Sequence, residues 1–293
     1  MACSRPIHIP GRYSKRGPLL APCRTCYNCR AVRTTQWSER LKYEYTHSSC
    51  AAFCRLSYDD NHLEYAYNDR RNLATLRRMT VHKYIDNLRH WCKNHCNDTY
   101  GVNPNFTYYL CGEYGDKSSR PHYHILIFGM DRNTCRKILK STWKYGFCQV
   151  LPMKIGAIRY VMKYMEKQVY GPLQKSLYFD NGLESPFFSF TPGIGKGLYS
   201  EHQSEINDKG YISFGSRRVY PTAYYARKYK TFNFSSMRSR ERVRLDDEYV
   251  KWSTIRSLYP QYKNLQEYEE AVAKIREDNT IVRKTRDCGI VYK

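Results

Sequence analysis

His122 and His124 stand two residues apart in HYHILIFG (122–129), a nearly unbroken apolar run that predicts a central strand covered on both faces. Side chains two apart on a strand leave the same face, so both imidazoles can grip one divalent cation on a rigid backbone. Alone the pattern is weak, because a strand histidine is more often an ordinary surface or core residue than a ligand. Glu113 adds to it. It lies near the end of a second predicted strand, NFTYYLCGEYG (105–115), joined to the first by the polar turn DKSSRP. Pairing of the two as a hairpin brings Glu113 beside the histidines. Two neutral imidazoles and one carboxylate leave coordination positions open for water and a phosphate oxygen, as a catalytic metal requires. A solvated surface charge is the alternative reading of Glu113.

A nucleophile can be sought in RYVMKYMEK (159–167), which reads as a helix with Tyr160 and Tyr164 one above the other on one face. Lys163 and Lys167 flank them and could favour a phenolate or hold phosphate. Spacing proves nothing here. With 29 tyrosines in 293 residues, about three such pairs arise by chance, and the chain holds three: Tyr160/Tyr164, Tyr220/Tyr224 and Tyr225/Tyr229. Pro221 interrupts the second pair and argues against a helix interior. The third, in YYARKY, is a competitor. Only the first pair lies on a helix that follows the metal-strand candidates within the same predicted layer.

The elements that must position these groups form an α+β pattern. Val32, Trp37, Leu41 and Tyr45 predict a helix from about residue 29 to 45, and AFCRLSY (52–58) a strand closed by the turn Asp59-Asp60-Asn61. Leu76, Val81, Ile85, Leu88 and Cys92 stripe a second helix that ends before Asn97. A helix at 134–144, a short strand at 147–151 and the helix at 155–167 follow. The expected fold is an antiparallel central sheet with flanking helices. Residues 1–22 read as a basic arm, 23–185 as the catalytic domain and 186–293 as an accessory region, loops and short strands first, then helices at 237–256 and 262–277. PGIGKG (192–197) suggests a phosphate loop but lacks the Walker A spacing and its Ser or Thr.

Composition narrows the partners. Lys and Arg number 49 against 27 Asp and Glu, a net charge of +22, which favours a polyanion. Nucleic acid is preferred to an anionic membrane, because no basic amphipathic helix with a clean apolar face stands out. Tyrosines among the cations suit stacking of unpaired bases. The chain ends carry no apolar run long enough for a signal peptide or membrane span, so an intracellular, soluble protein is expected. The 12 cysteines then read as reduced thiols or metal ligands. Cys23, Cys26 and Cys29 form C-x2-C-x2-C, part of a structural Zn²⁺ site that needs a fourth ligand from Cys3, Cys50 or Cys54. Plain reduced thiols are the preferred reading and zinc the alternative.

FCRLSYDD, CGEYGDKSSRPHYHILIFG and RYVMKYMEK, with CRTCYNCR and PGIGKG, strongly resemble the replication initiators of microviruses, especially the gokushovirus branch. The likeness spans most of the chain. It implies a HUH endonuclease with an RRM-like or ferredoxin-like core, in which HYH is the metal motif and YVMKY carries the catalytic tyrosines. His122, His124, Tyr160 and Tyr164 take those roles by match of position, and Glu113 matches the acidic third ligand of related single-strand initiators. Cys54 and Arg55 depart from the family's usual apolar residue and threonine, a difference expected to touch the sheet rather than the metal motif. The implied activity is nicking of origin single-stranded DNA with Mg²⁺ or Mn²⁺, a 5′-phosphotyrosine adduct, a free 3′-hydroxyl and later rejoining, in a bacterial host's cytoplasm with its helicase and polymerase. A non-enzymatic basic DNA-binding or packaging protein and a single-tyrosine transposase of the same superfamily are the alternatives. The C-terminal region either recognises the origin duplex, recruits a helicase or braces the catalytic layer.

Overall fold

A computed structural model describes residues 3, 7–14, 17–66, 72–97, 101–116, 118–215, 217–222, 225 and 253–263, with a few positions between 267 and 275. The chain divides into two compact units, one built on Arg40–Gly195 and the other on Met1–Glu39 with Lys196–Arg283. In chain order the elements begin with β1 (Ile7–Ser14), β2 (Gly17–Ala21), α1 (Tyr27–His47), β3 (Ala51–Tyr58), α2 (Arg78–His95) and β4 (Thr107–Tyr114). They continue with β5 (Pro121–Phe128), α3 (Arg132–Thr142), β6 (Gly146–Pro152), α4 (Ile155–Glu166) and α5 (Pro172–Leu177). Last come β7 (Phe187–Phe190), α6 (Gly197–Glu201), α7 (Gln203–Lys209), β8 (Ile212–Phe214) and β9 (Arg217–Val219).

In the Arg40–Gly195 unit, five strands make one antiparallel sheet in the order β6-β3-β5-β4-β7. Every residue of the middle strand β5 is buried, which explains its unbroken apolar sequence. Alternation gives the sheet two distinct faces. One carries Cys54, Leu56, Tyr58, Leu110, Tyr123, Ile125 and Ile127, and it shares a core with Val81, Ile85 and Leu88 of α2 and Ile138 and Leu139 of α3. The other carries Phe53, Arg55, Cys111, Glu113, His122 and His124. Rings of α4 lie over this second face, Tyr160 packing edge-on to Phe53 with centroids 6.1 Å apart.

Local chemistry explains where the elements start. Asp131 opens α3 by accepting the Asn133 and Thr134 N–H groups at 2.8 and 3.1 Å, satisfying donors that have no partner within the helix. α2 has no capping side chain at its own N-cap. A distant carboxylate does the work: Glu184 Oε2 accepts the Arg78 N–H at 2.7 Å, favourable at the positive end of the helix dipole. Gly146 starts β6 with φ +143°, and a Cβ there would fall 2.2 Å from Asp59 N. Only glycine fits that close strand approach.

The sheet and its helices agree with the sequence expectation, with ends moved by one to three residues. Leu76 is an exception, since it is buried just before α2 rather than on it. Residues 1–22, expected as an arm, carry instead the antiparallel β1–β2 hairpin; Gly and Pro in that segment masked its strand alternation. The region expected to hold only loops and short strands also contains α5, α6 and α7, each too short to leave a periodic signal. PGIGKG is a packing element of its own unit. Gly195 N–H donates to Glu44 Oε2 at 2.8 Å, and Arg40 Nη2 donates to Ile194 O at 2.6 Å. Most of the helices expected at 237–256 and 262–277 lie outside the described residues. Among the described residues no helix is long and apolar enough to cross a membrane.

Candidate active site

Strand register assembles the first three groups. In the β4–β5 pair Glu113 stands opposite His122 and Cys111 opposite His124. On the other side of β5, Ser57 faces His122 and Arg55 faces His124. The three candidate ligands therefore share one face, and all are buried. His122 Nε2 lies 2.7 Å and His124 Nε2 2.9 Å from the same oxygen, Glu113 Oε1. His122 Nδ1 meets the Arg120 carbonyl at 3.1 Å, a contact that orients the ring and leaves Nε2 as the atom turned to the carboxylate.

The charge balance of this cluster fits a cation. An ionised carboxylate only accepts hydrogen bonds, so each imidazole must bring a proton to Oε1. A divalent ion at the same junction replaces both protons. Burial works against ionising Glu113, but the bonds from His122 and His124 outweigh it and hold the carboxyl below its ordinary range. Burial lowers His124, more than its contact with Glu113 raises it, so the ring favours the neutral state a ligand needs. His124 Nδ1 is buried with no hydrogen-bond partner among the described residues. The ligand atoms of Glu113, His122 and His124 all lie within 4.8 Å of one another, and three protein ligands leave room for substrate oxygens.

Tyr160 and Tyr164 occupy the neighbouring space. The Tyr164 ring stacks on His124, with centroids 5.4 Å apart and planes 11° from parallel, while Tyr160 meets the same imidazole edge-on at 5.2 Å. Tyr164 Oη donates to Tyr160 Oη at 2.6 Å. The two phenols differ in access, Tyr160 being 42% exposed and Tyr164 half-buried. Burial first, then Tyr160 and Glu113, push the Tyr164 phenol well above its usual range. Lys167 Nζ sits 5.9 Å from the Tyr164 ring centroid and 3.7 Å from Asp116 Oδ1. Lys163 is exposed, and its side chain makes no hydrogen bond or ion pair among the described residues. The structure thus brings together five of the sequence candidates with Lys167 at the edge, and leaves Lys163 facing solvent.

Other side chains at the site escaped the sequence. Phe53 stacks on His124 with centroids 5.7 Å apart. Arg55, expected to concern the sheet alone, stands beside His124 in register, because alternation turns 55 to the histidine face while Cys54 enters the core. Aligning β3 with β5 by parity would have revealed both. A cleft of about 380 Å³ opens next to His122, bordered by Arg55, Arg120 and Phe147. Phe147 is 68% exposed, unusual for so large an apolar ring on an edge strand. Arg120 is fixed there by Asp60 at 2.6 Å and the Tyr58 carbonyl at 3.1 Å.

The other compact unit holds a second group able to bind a metal. The sulfurs of Cys3, Cys23, Cys26 and Cys29 all lie within 4.8 Å of one another. Cys3 is the fourth member. Cys50 and Cys54 are not in this group, Cys54 being buried in the sheet core next to Cys135.

Comparison with known proteins places this site in context. Residues 51–169, from β3 to just past α4, match the family model for replication-associated protein ORF2. Replication-associated protein ORF2 of Spiroplasma virus 4 is 26% identical over 200 residues, covering 63% of this chain and 58% of that protein. Replication-associated protein VP4 of Bdellovibrio phage phiMH2K is 26% identical over 220 residues, 69% of this chain and 65% of its own length. Replication-associated protein ORF4 of Chlamydia phage 1 is 25% identical over 166 residues, 50% and 38% of the two chains. The chain thus spans less than two thirds of the length of each of these relatives. No solved structure matches.

Proposed function

We propose that this chain, whose residues 51–169 belong to the family of replication-associated protein ORF2, is a tyrosine endonuclease that nicks and rejoins single-stranded origin DNA to start rolling-circle replication. The observation that carries this reading is the joint one: a buried Glu113–His122–His124 cluster with two phenols packed against His124. The order β3-α2-β4-β5-α3-β6, with those strands paired β6-β3-β5-β4, supports assignment to the ferredoxin-like βαββαβ arrangement expected of a HUH enzyme. The nicking domain is assigned to about 23–185, with 186–293 accessory to it.

Glu113, His122 and His124 would hold Mg²⁺ or Mn²⁺, which when bound polarises the scissile phosphate. The chain's own groups do the rest. Tyr160 Oη, the more exposed phenol, attacks phosphorus; the Tyr160 Oη–P bond forms as the P–O3′ bond breaks, and the phenolic proton passes to the departing 3′-oxygen. Tyr164 donates its hydrogen bond to Tyr160 Oη and so steadies the charge that develops there. The product is a 5′-phosphotyrosine and a free 3′-hydroxyl for a host polymerase. The phosphodiester energy stays in the covalent link, so rejoining by attack of a 3′-hydroxyl needs no ATP. Tyr164 serves as nucleophile for the regenerated origin after one circuit. Arg55 and Arg120 in the cleft neutralise phosphates while Phe147 offers a ring for an unpaired base. The setting is the bacterial cytoplasm, with a host helicase as a further partner.

Incubating the full chain with origin single strand and Mn²⁺ tests this. A covalent protein–DNA adduct that disappears with EDTA, and whose linked peptide contains Tyr160 or Tyr164, is the expected result. Binding without adduct would instead mark a non-enzymatic basic DNA-binding protein.

A further inference from the structure

The β1–β2 hairpin and the start of α1 belong to the other compact unit, and nothing in the nicking chemistry uses them. Cys3 precedes the hairpin, Cys23 follows it, and Cys26 immediately precedes Tyr27, the first residue of α1. We propose that Cys3, Cys23, Cys26 and Cys29 hold one structural Zn²⁺ in a closed, all-thiolate tetrahedron that fastens the open end of this hairpin to the helix start.

Distances come first. A tetrahedron with Zn–S bonds near 2.3 Å has sulfur–sulfur edges of about 3.8 Å. Cys3 Sγ and Cys26 Sγ are 3.9 Å apart, and no pair among the four exceeds 4.8 Å. That spacing encloses one ion and has no room for a multi-iron cluster.

The backbone is shaped around the sulfurs. Arg24 adopts φ +66°, a left-handed conformation that a residue with a Cβ rarely takes. It folds the Cys23–Cys26 loop so that N–H groups point inward. Cys23 N–H donates to Cys3 Sγ at 3.2 Å and Cys26 N–H to Cys23 Sγ at 3.3 Å. Thr25 Oγ1 adds a bond to Cys23 Sγ at 3.5 Å. Hydrogen bonds donated to sulfur favour thiolate, the form that binds metal.

Charge gives an independent argument. Arg30 is buried, with Nη1 bonded to the Thr25 carbonyl at 3.0 Å inside the cysteine loop, while its Nε has no hydrogen-bond partner among the described residues. A buried guanidinium needs a counter-charge. Four thiolates around Zn²⁺ carry a net charge of −2 and supply one beside it. Soft thiolates select zinc over Mg²⁺ or Mn²⁺, and four protein ligands leave no open position, so this centre has no part in the phosphoryl chemistry. Its work is mechanical, since a lone two-stranded hairpin is marginal in water and a metal spanning its two ends adds binding free energy to folding.

Elemental analysis of the purified full chain tests the proposal. His124→Ala protein, dialysed against metal-free buffer, is expected to keep one equivalent of zinc. Cys3→Ser, Cys23→Ser, Cys26→Ser and Cys29→Ser should each lose it, and Cys50→Ser should not. Should the cysteine variants fail to fold, Co²⁺ added to zinc-stripped wild-type protein is expected to give sulfur-to-metal charge-transfer absorption and tetrahedral ligand-field bands that Zn²⁺ bleaches. Absence of any zinc, zinc that departs with His124, iron in its place, or cobalt spectra without thiolate character would each overturn it. Because the readout is metal content, it stands or falls apart from nicking activity.

Discussion

Two pairs of tyrosines in the Arg40–Gly195 unit meet oxygen to oxygen, one on each side of the same sheet. Tyr58 and Tyr123 join at 3.0 Å within the core. Tyr160 and Tyr164 join at 2.6 Å against His124. The bond is the same, but the surroundings assign the work. Tyr123 Oη also accepts the Arg77 N–H at 3.0 Å and donates to the Arg77 carbonyl at 3.2 Å, so it ties the entry of α2 to β5. Burial pushes Tyr58 up to about 12 and Tyr123 further, keeping both phenols protonated. Tyr160 instead reaches solvent beside a cluster suited to a cation. A phenol becomes a nucleophile through access and a neighbouring charge, not through pairing.

Several substitutions can break or sharpen this contrast. The largest effect belongs to Tyr160→Phe with Tyr164→Phe, expected to bring adduct formation to background, a loss of at least ~10³-fold, while the melting temperature holds. Adduct from the double variant would move the nucleophile elsewhere. His124→Ala should slow nicking by ~100-fold or more, since disturbing only a ligand's supporting contacts already costs 10–100-fold; a smaller loss in a Mn²⁺-saturated assay would detach the imidazole from the metal. Tyr164→Phe alone removes a hydrogen bond to a developing charge and should cost about 10–100-fold in first-strand cleavage. Tyr160→Phe should cost more, and equal losses in single-turnover assays would erase the ranking of the two phenols.

On the core side the readout is stability. Tyr123→Phe strips the Arg77 peptide of its partner and is expected to cost about 1–3 kcal/mol in denaturant unfolding, with nicking per folded molecule unchanged. The alkaline limb gives the smallest signal. Phenols raised in the folded state contribute stability that is whole below the unfolded value of 10.0 and drains away as pH climbs toward the folded value of about 12 for Tyr58. Each such phenol steepens the fall by about 1.4 kcal/mol per pH unit. Tyr58→Phe with Tyr123→Phe should therefore flatten the loss of stability between pH 10 and 12, and an unchanged slope would mean that other groups govern it.

What the sequence made legible was local. His122 and His124 share a face by strand alternation, Glu113 joins them through a short turn, and Tyr160 and Tyr164 align by helical spacing. What it hid depends on distant chain. Glu184 caps α2 from 106 positions away, and no capping residue near Arg77 hints at it. Cys3 meets Cys26 across 23 residues and an unseen hairpin. Arg55 could be named as unusual, but its nearness to His124 required the β3–β5 register. Lys163 looked equivalent to Lys167 on paper; only the orientation of α4 over the sheet separated the lysine near the ring from the one in solvent.

The strand β5 alternates imidazole and hydrocarbon one residue at a time, His122, Tyr123, His124, Ile125. A slip of its pairing by a single position would drive both imidazoles into the greasy side and expel Tyr123 and Ile125 from it. Mispaired chains would then forfeit folding and ligand geometry in one stroke. Any selection for a working centre is, through this strand, also quality control on how the sheet was zipped.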